Sequence, residues 1–100
     1  MAYEPGALEA TLAAAAGGDP ALLGELRRAY QESVARQVDL LARARCDGNW
    51  ELAAQRLLGL AASFHCEDLR AMADAALRAA PGEPTAVRRL QSYIDRFSGS

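Results

Sequence analysis

Apolar residues recur three or four positions apart through most of this chain, and that spacing admits little except amphipathic helices. The clearest run is Leu23, Leu26, Tyr30, Val34, Val38 and Leu41. It lines one face of a long helix expected over residues 20–45, which at 1.5 Å per residue would span roughly 39 Å, about the length of a bundle. Composition points the same way. Alanine occurs 23 times, whereas Val and Ile together occur four times. Alanine has no side-chain entropy to lose in a helix, and β-branched residues, which favour strands, are nearly missing.

Glycine and proline fall between the stripes. A first helix is expected from about Pro5 to Ala16, with Leu8, Leu12 and Ala15 on one side, ended by Gly17 and Gly18. Asp19 then offers an N-cap oxygen, and Pro20 fits the first helical position, where no N–H is required. Asp47 and Gly48 form a turn signal, with Asn49 expected to cap a third helix reaching about Phe64. A fourth helix is expected from about Glu67 to Ala80, with Leu69, Met72, Ala73, Ala76 and Leu77 as its stripe. Pro81, Gly82, Glu83 and Pro84 break the chain before a fifth, from Thr85 to about Phe97, which shows Val87, Leu90, Ile94 and Phe97. The tail from Ser98 is expected to fray. Short connections between such helices favour antiparallel neighbours. The expected fold class is all-α: a single domain over residues 1–100, an antiparallel four-helix bundle with an additional N-terminal helix as a lid.

The charge balance excludes several functions. The net charge is -2, and no basic run with interleaved aromatics marks a nucleic-acid surface. All eleven basic residues are arginine, so amine nucleophiles and Schiff-base chemistry are excluded from the side chains. No apolar run approaches the ~20 residues of a membrane span. Met1 to Pro5 shows neither the basic region nor the apolar core of a secretory signal. Cys46 and Cys66 have no CxxC or zinc spacing and read as two free thiols of a cytoplasmic protein. No catalytic triad, carboxylate pair or phosphate loop stands out, so no enzyme activity, metal or cofactor is expected.

The third helix is the most informative stretch. With Gln55 at zero and about 100° per residue, Trp50, Ala53, Leu57, Leu60, Ala61 and Phe64 fall within roughly 60° of the opposite pole. That stripe is expected to be buried. Gln55 then points to solvent, with Glu51, Leu58, Gly59 and Ala62 within about 60° of it and Leu52 at the other edge of the same face.

The sequence from Ala54 through Gln55, Arg56, Leu57, Leu58, Gly59, Leu60, Ala61, Ala62, Ser63 and Phe64 to His65 resembles the signature helix of the histidine-phosphotransfer family. That family's pattern reads roughly A-H-x-L-K-G-x-A-x-x-[FL]-G. The residues from Asp47 to Trp50 before it, and Glu67 to Leu69 after it, are also similar to the family. The phospho-accepting histidine position holds Gln55, and the family lysine position holds Leu58. The resemblance therefore implies a degenerate member: the scaffold of a bacterial phosphorelay carrier without its phosphate chemistry. Its implied role is a monomeric interaction module of two-component signalling. It would dock a response-regulator receiver domain or a histidine kinase through the third-helix face.

Each candidate residue also has an ordinary reading. Gln55 is either a solvated helix residue or the centre of a docking surface; its carboxamide lacks a nucleophilic nitrogen but donates and accepts hydrogen bonds. Leu52 and Leu58 are either isolated exposed leucines or, with Gly59 and Ala62, an apolar patch for a partner. His65, the one histidine, stands in the place of the family's last glycine and reads as a surface or capping residue. An active phosphocarrier using His65 is the first alternative function. A small helical adaptor or chaperone unrelated to phosphorelays is the second. Metal binding by His65, Cys66 and Glu67 is weak, because adjacent residues rarely converge on one ion. Redox sensing by Cys46 or Cys66 has only the proximity of Cys66 to a helix N-terminus in its favour.

Overall fold

The computed structural model describes residues 6–99, side chains excepted at Gly6, Ser98 and Gly99. Five helices follow one another: α1 (Gly6–Ala16), α2 (Pro20–Arg43), α3 (Asp47–Phe64), α4 (Glu67–Arg78) and α5 (Pro84–Gly99), with no strand among the described residues. The all-helical expectation holds. Pro5, expected in α1, lies outside the described residues.

Local chemistry explains the boundaries. The Asp19 carboxylate accepts from the Ala21 and Leu22 N–H groups at 3.0 and 3.3 Å, satisfying donors that the first turn of α2 leaves unpaired. Asn49 is not the cap of α3. Cys46 is, without a side-chain cap bond, and Asp47 opens the first turn. An acid there favours the helix N-terminus electrostatically, so the Asp-Gly pair enters the helix instead of turning before it. α2 stops at Arg43, short of Arg45, and α4 at Arg78, short of Ala80. α5 begins one residue early because Pro84 takes the first helical position, as its fixed φ allows. In α1 the buried residues are Leu12 and Ala16, whereas Ala15 is exposed.

α2 to α5 form a closed four-helix ring. α2 packs on α3, α3 on α4, α4 on α5 and α5 back on α2. Named contacts fix each neighbour as antiparallel. Tyr30, in the first half of α2, meets Phe64 at the end of α3, ring centroids 4.9 Å apart. Tyr30 also reaches Tyr93 in the second half of α5, with hydroxyl oxygens 2.9 Å apart. Trp50, in the first turn of α3, donates its indole N–H to the Ala76 carbonyl late in α4, at 2.8 Å. Cys66, which caps α4, lies 3.2 Å from the Tyr93 hydroxyl.

The core follows the expected stripes. Tyr30, Val34, Val38 and Leu41 of α2 are buried, as are Leu69, Ala73 and Ala76 of α4, and Leu90 and Tyr93 of α5. Leu23 and Leu26 are only half-buried. The Cys66–Tyr93–Tyr30 chain places three polar groups inside this core, each with a partner, as buried polar groups require. Burial, with the Tyr93 hydroxyl beside it, pushes the Tyr30 phenol well above the usual tyrosine range, because the phenolate would lose its water there.

α1 lies on α2 and α3. Arg27 of α2 holds it, forming an ion pair with Glu9. The same guanidinium stands over the Phe97 ring of α5, 4.9 Å from its centroid, a geometry that favours cation–π attraction.

Candidate functional site

α3 carries the candidate face. Its buried residues are Trp50, Ala53, Ala54, Leu57 and Ala61. On a wheel of 100° per residue these centre about 140° from Gln55, on the Leu58 side, and not at the pole opposite Gln55. The helix is therefore rotated by about 40° from the expected setting. Ala54, placed on neither face by the spacing, is completely covered. A methyl side chain adds little to a hydrophobic stripe, yet its complete burial shows that the bundle covers this side of α3.

That rotation changes the face. Leu58, expected to point outward, is half-buried and packs against the core. Leu60 and Phe64, expected to be buried, are also half-buried; Phe64 sits at the helix end, where only part of its ring is covered. Leu52, expected at the edge, is 46% exposed, the most exposed large apolar side chain among the described residues. Gln55, Gly59 and Ala62 are exposed as expected. Gly59 lies at the outermost point of the helix. A Cβ built there meets nothing within 4 Å beyond its chain neighbours and the adjoining backbone of its own helix. Nothing in the fold therefore requires glycine at this mid-helix position, where alanine would be about 1 kcal/mol better. The structure brings Leu52, Gln55, Gly59 and Ala62 onto one open strip and takes Leu58 out of it.

His65 ends the helix. It adopts the left-handed conformation, φ 57° and ψ 40°, and it is exposed. The Cys66 N–H reaches back to the Ala61 carbonyl at 2.9 Å, as in a helix end closed by a left-handed residue. Glycine is the usual occupant of such a position. His65→Gly is expected to raise stability by about 1 kcal/mol, because a Cβ is strained there. In a domain of this size the thermal midpoint should rise by roughly 4–8 °C; an unchanged or lower midpoint in a melt contradicts the assigned backbone. Cys66 is buried and Cys46 exposed, both as free thiols. No cluster of three metal-ligating side chains occurs among the described residues, and no helix among them is long and apolar enough to cross a membrane.

Beside the strip lies a feature the sequence reading missed. Gln37, Leu40, Arg43 and Arg45, from the second half of α2 and the turn after it, face Leu52 and Arg56 of α3 across an open groove of about 800 Å³. Leu40 is 40% exposed. The one sequence signal for this groove was Leu40 itself, an apolar residue standing off the α2 stripe next to Leu41.

Compared with protein-family models, with characterised proteins and with solved structures, the chain matches none.

Proposed function

We propose that this protein is a non-catalytic, cytoplasmic interaction module with a histidine-phosphotransfer-like bundle. It docks a response-regulator receiver domain or a histidine kinase through the outer face of α3 and carries no phosphate. The observation that carries the reading is the exposure of Gln55 at mid-helix, one turn before Gly59, where an added Cβ would meet nothing within 4 Å beyond its chain neighbours and the adjoining backbone of its own helix. A partner needs that kind of open ground to approach a helix backbone. The register of the resemblance supports it further. The position the family fills with its last glycine is His65 here, and His65 has the left-handed backbone that glycine favours.

The chemistry at the face follows from Gln55. An imidazole accepts phosphate through a ring nitrogen lone pair, whereas the amide lone pair of glutamine is delocalised into its carbonyl. The carboxamide instead presents donors and an acceptor to a partner's polar pocket. The half-buried Leu58 leaves the family's ammonium position apolar.

Labelling tests the reading. Wild type, incubated with an autophosphorylated kinase and a receiver domain, is expected to gain no acid-labile phosphate. Gln55→His is expected to give weak labelling. Adding Leu58→Lys is expected to increase it, since the long stem can stay against the core while the ammonium reaches the phosphoryl oxygens. Wild-type labelling that disappears in His65→Ala contradicts the proposal and makes the chain a phosphocarrier.

A further inference from the structure

We infer that the groove between α2 and α3 binds an acidic, leucine-bearing amphipathic helix of a partner protein. The strip of Gln55, Gly59 and Ala62 adjoins this groove on the same helix, and Leu52 belongs to both surfaces. The inference does not depend on the phosphorelay reading.

Charge complementarity carries it. The chain as a whole is acidic, with thirteen Asp and Glu against eleven Arg. The groove reverses that balance: Arg43, Arg45 and Arg56 line it and no Asp or Glu does. Arg43 is engaged by Asp39 at 3.0 Å. Arg45 and Arg56 have no carboxylate within ion-pair distance among the described residues, and both are exposed. An isolated cationic rim attracts anions in general, but this rim encloses apolar ground. Leu40 and Leu52 are 40% and 46% exposed. A polyanion without apolar groups would leave both leucines wet. A helix with leucines along one stripe and carboxylates beside them covers the leucines and meets the arginines together, the helix-in-groove mode of recognition. Guanidinium groups suit that rim because they bind carboxylates through two parallel N–H donors.

The groove wall also holds an unmet acceptor. The Gln37 Oε1 atom is buried and has no hydrogen-bond partner. Such atoms are uncommon in folded proteins. Turning of the half-buried Gln37 side chain toward the groove would offer this acceptor to a donor on the incoming helix.

The probe is a fluorescein-labelled helical peptide of about 14 residues, four turns long, with leucines at helical spacing and glutamates flanking them. Fluorescence anisotropy is expected to show saturable binding that weakens as salt rises from about 50 to 500 mM, where surface charge is screened. Arg45→Glu with Arg56→Glu is expected to weaken binding at least tenfold, and Leu52→Ser to weaken it as well. Both changes are at exposed positions, and circular dichroism checks that the bundle remains. Backbone amide shifts are expected to move over residues 37–45 and 49–56 and not over 59–63. A peptide with lysine in place of glutamate is expected not to bind.

Equal binding of a peptide with the same composition but scattered leucines overturns the proposal, since it shows anion attraction alone. Displacement by a single-stranded oligonucleotide at lower concentration overturns it in favour of nucleic acid. A dimer of this chain that dissociates on Arg45→Glu with Arg56→Glu assigns the groove to a second copy and overturns it too. Absence of any receiver complex leaves the expected peptide binding unchanged, so the two readings fail separately.

Discussion

Trp50→Ala is expected to cost about 3–5 kcal/mol of folding stability, the range for truncating a large buried aromatic ring. Trp50 is 1% exposed and its indole N–H donates to the Ala76 carbonyl at 2.8 Å. Truncation removes the packing between the start of α3 and the end of α4 and leaves that carbonyl without its indole donor. Domains of this kind have about 5–15 kcal/mol in total, so the variant is expected to lose much of its margin. Trp50→Phe separates the two contributions. It keeps most of the apolar volume and loses the donor, with an expected cost of about 1–3 kcal/mol. Urea unfolding followed by far-ultraviolet circular dichroism measures both without relying on tryptophan fluorescence. A loss below about 1 kcal/mol for Trp50→Ala contradicts the packing described, because surface substitutions fall in that range.

Gly59→Glu has the largest expected effect on binding. The position is outermost on α3, and a Cβ there has open space, so the free protein can accept the side chain. Glutamate is a better helix former than glycine by roughly 0.5–1 kcal/mol, so the variant should melt no lower than wild type. In a complex, the same carboxylate would be pressed against the partner. It would either hold the surfaces apart or lose its water without a compensating cation, and burying an unpaired charge is strongly unfavourable. A loss of at least about 100-fold in affinity is expected, equivalent to about 2.8 kcal/mol.

The fold was legible because its information is periodic. The runs Tyr30, Val34, Val38, Leu41 and Leu69, Ala73, Ala76 carry the helical spacing openly, and those residues are buried. Asp19 and Pro20 marked the start of α2 by a local rule that needs no tertiary context. Asn49 misled because a cap and a turn signal competed, and Asp47 at the helix N-terminus extends α3 backwards. The candidate face was legible in outline and wrong in rotation. A wheel weighted by large side chains placed Leu60 and Phe64 within the buried stripe, whereas the completely covered Ala54 shows which way the bundle lies. That shift of about 40° moved Leu58 onto the core and left Leu52 open. The groove was legible only in Leu40, an apolar residue off the α2 stripe. Its arginines lie in α2, in the turn after it and in α3, and only the packing of α2 on α3 brings them to one place.

The central claim is that the outer face of α3 docks a signalling partner. It is tested most directly by titrating wild type and Gly59→Glu against a receiver domain encoded in the same genome, with thermal melts of both proteins alongside. The account predicts a saturable complex with wild type, a loss of at least about 100-fold with Gly59→Glu, and a melting midpoint no lower in the variant. Equal affinity of the two proteins would place the interface elsewhere and contradict the assignment of Leu52, Gln55, Gly59 and Ala62 as the docking face.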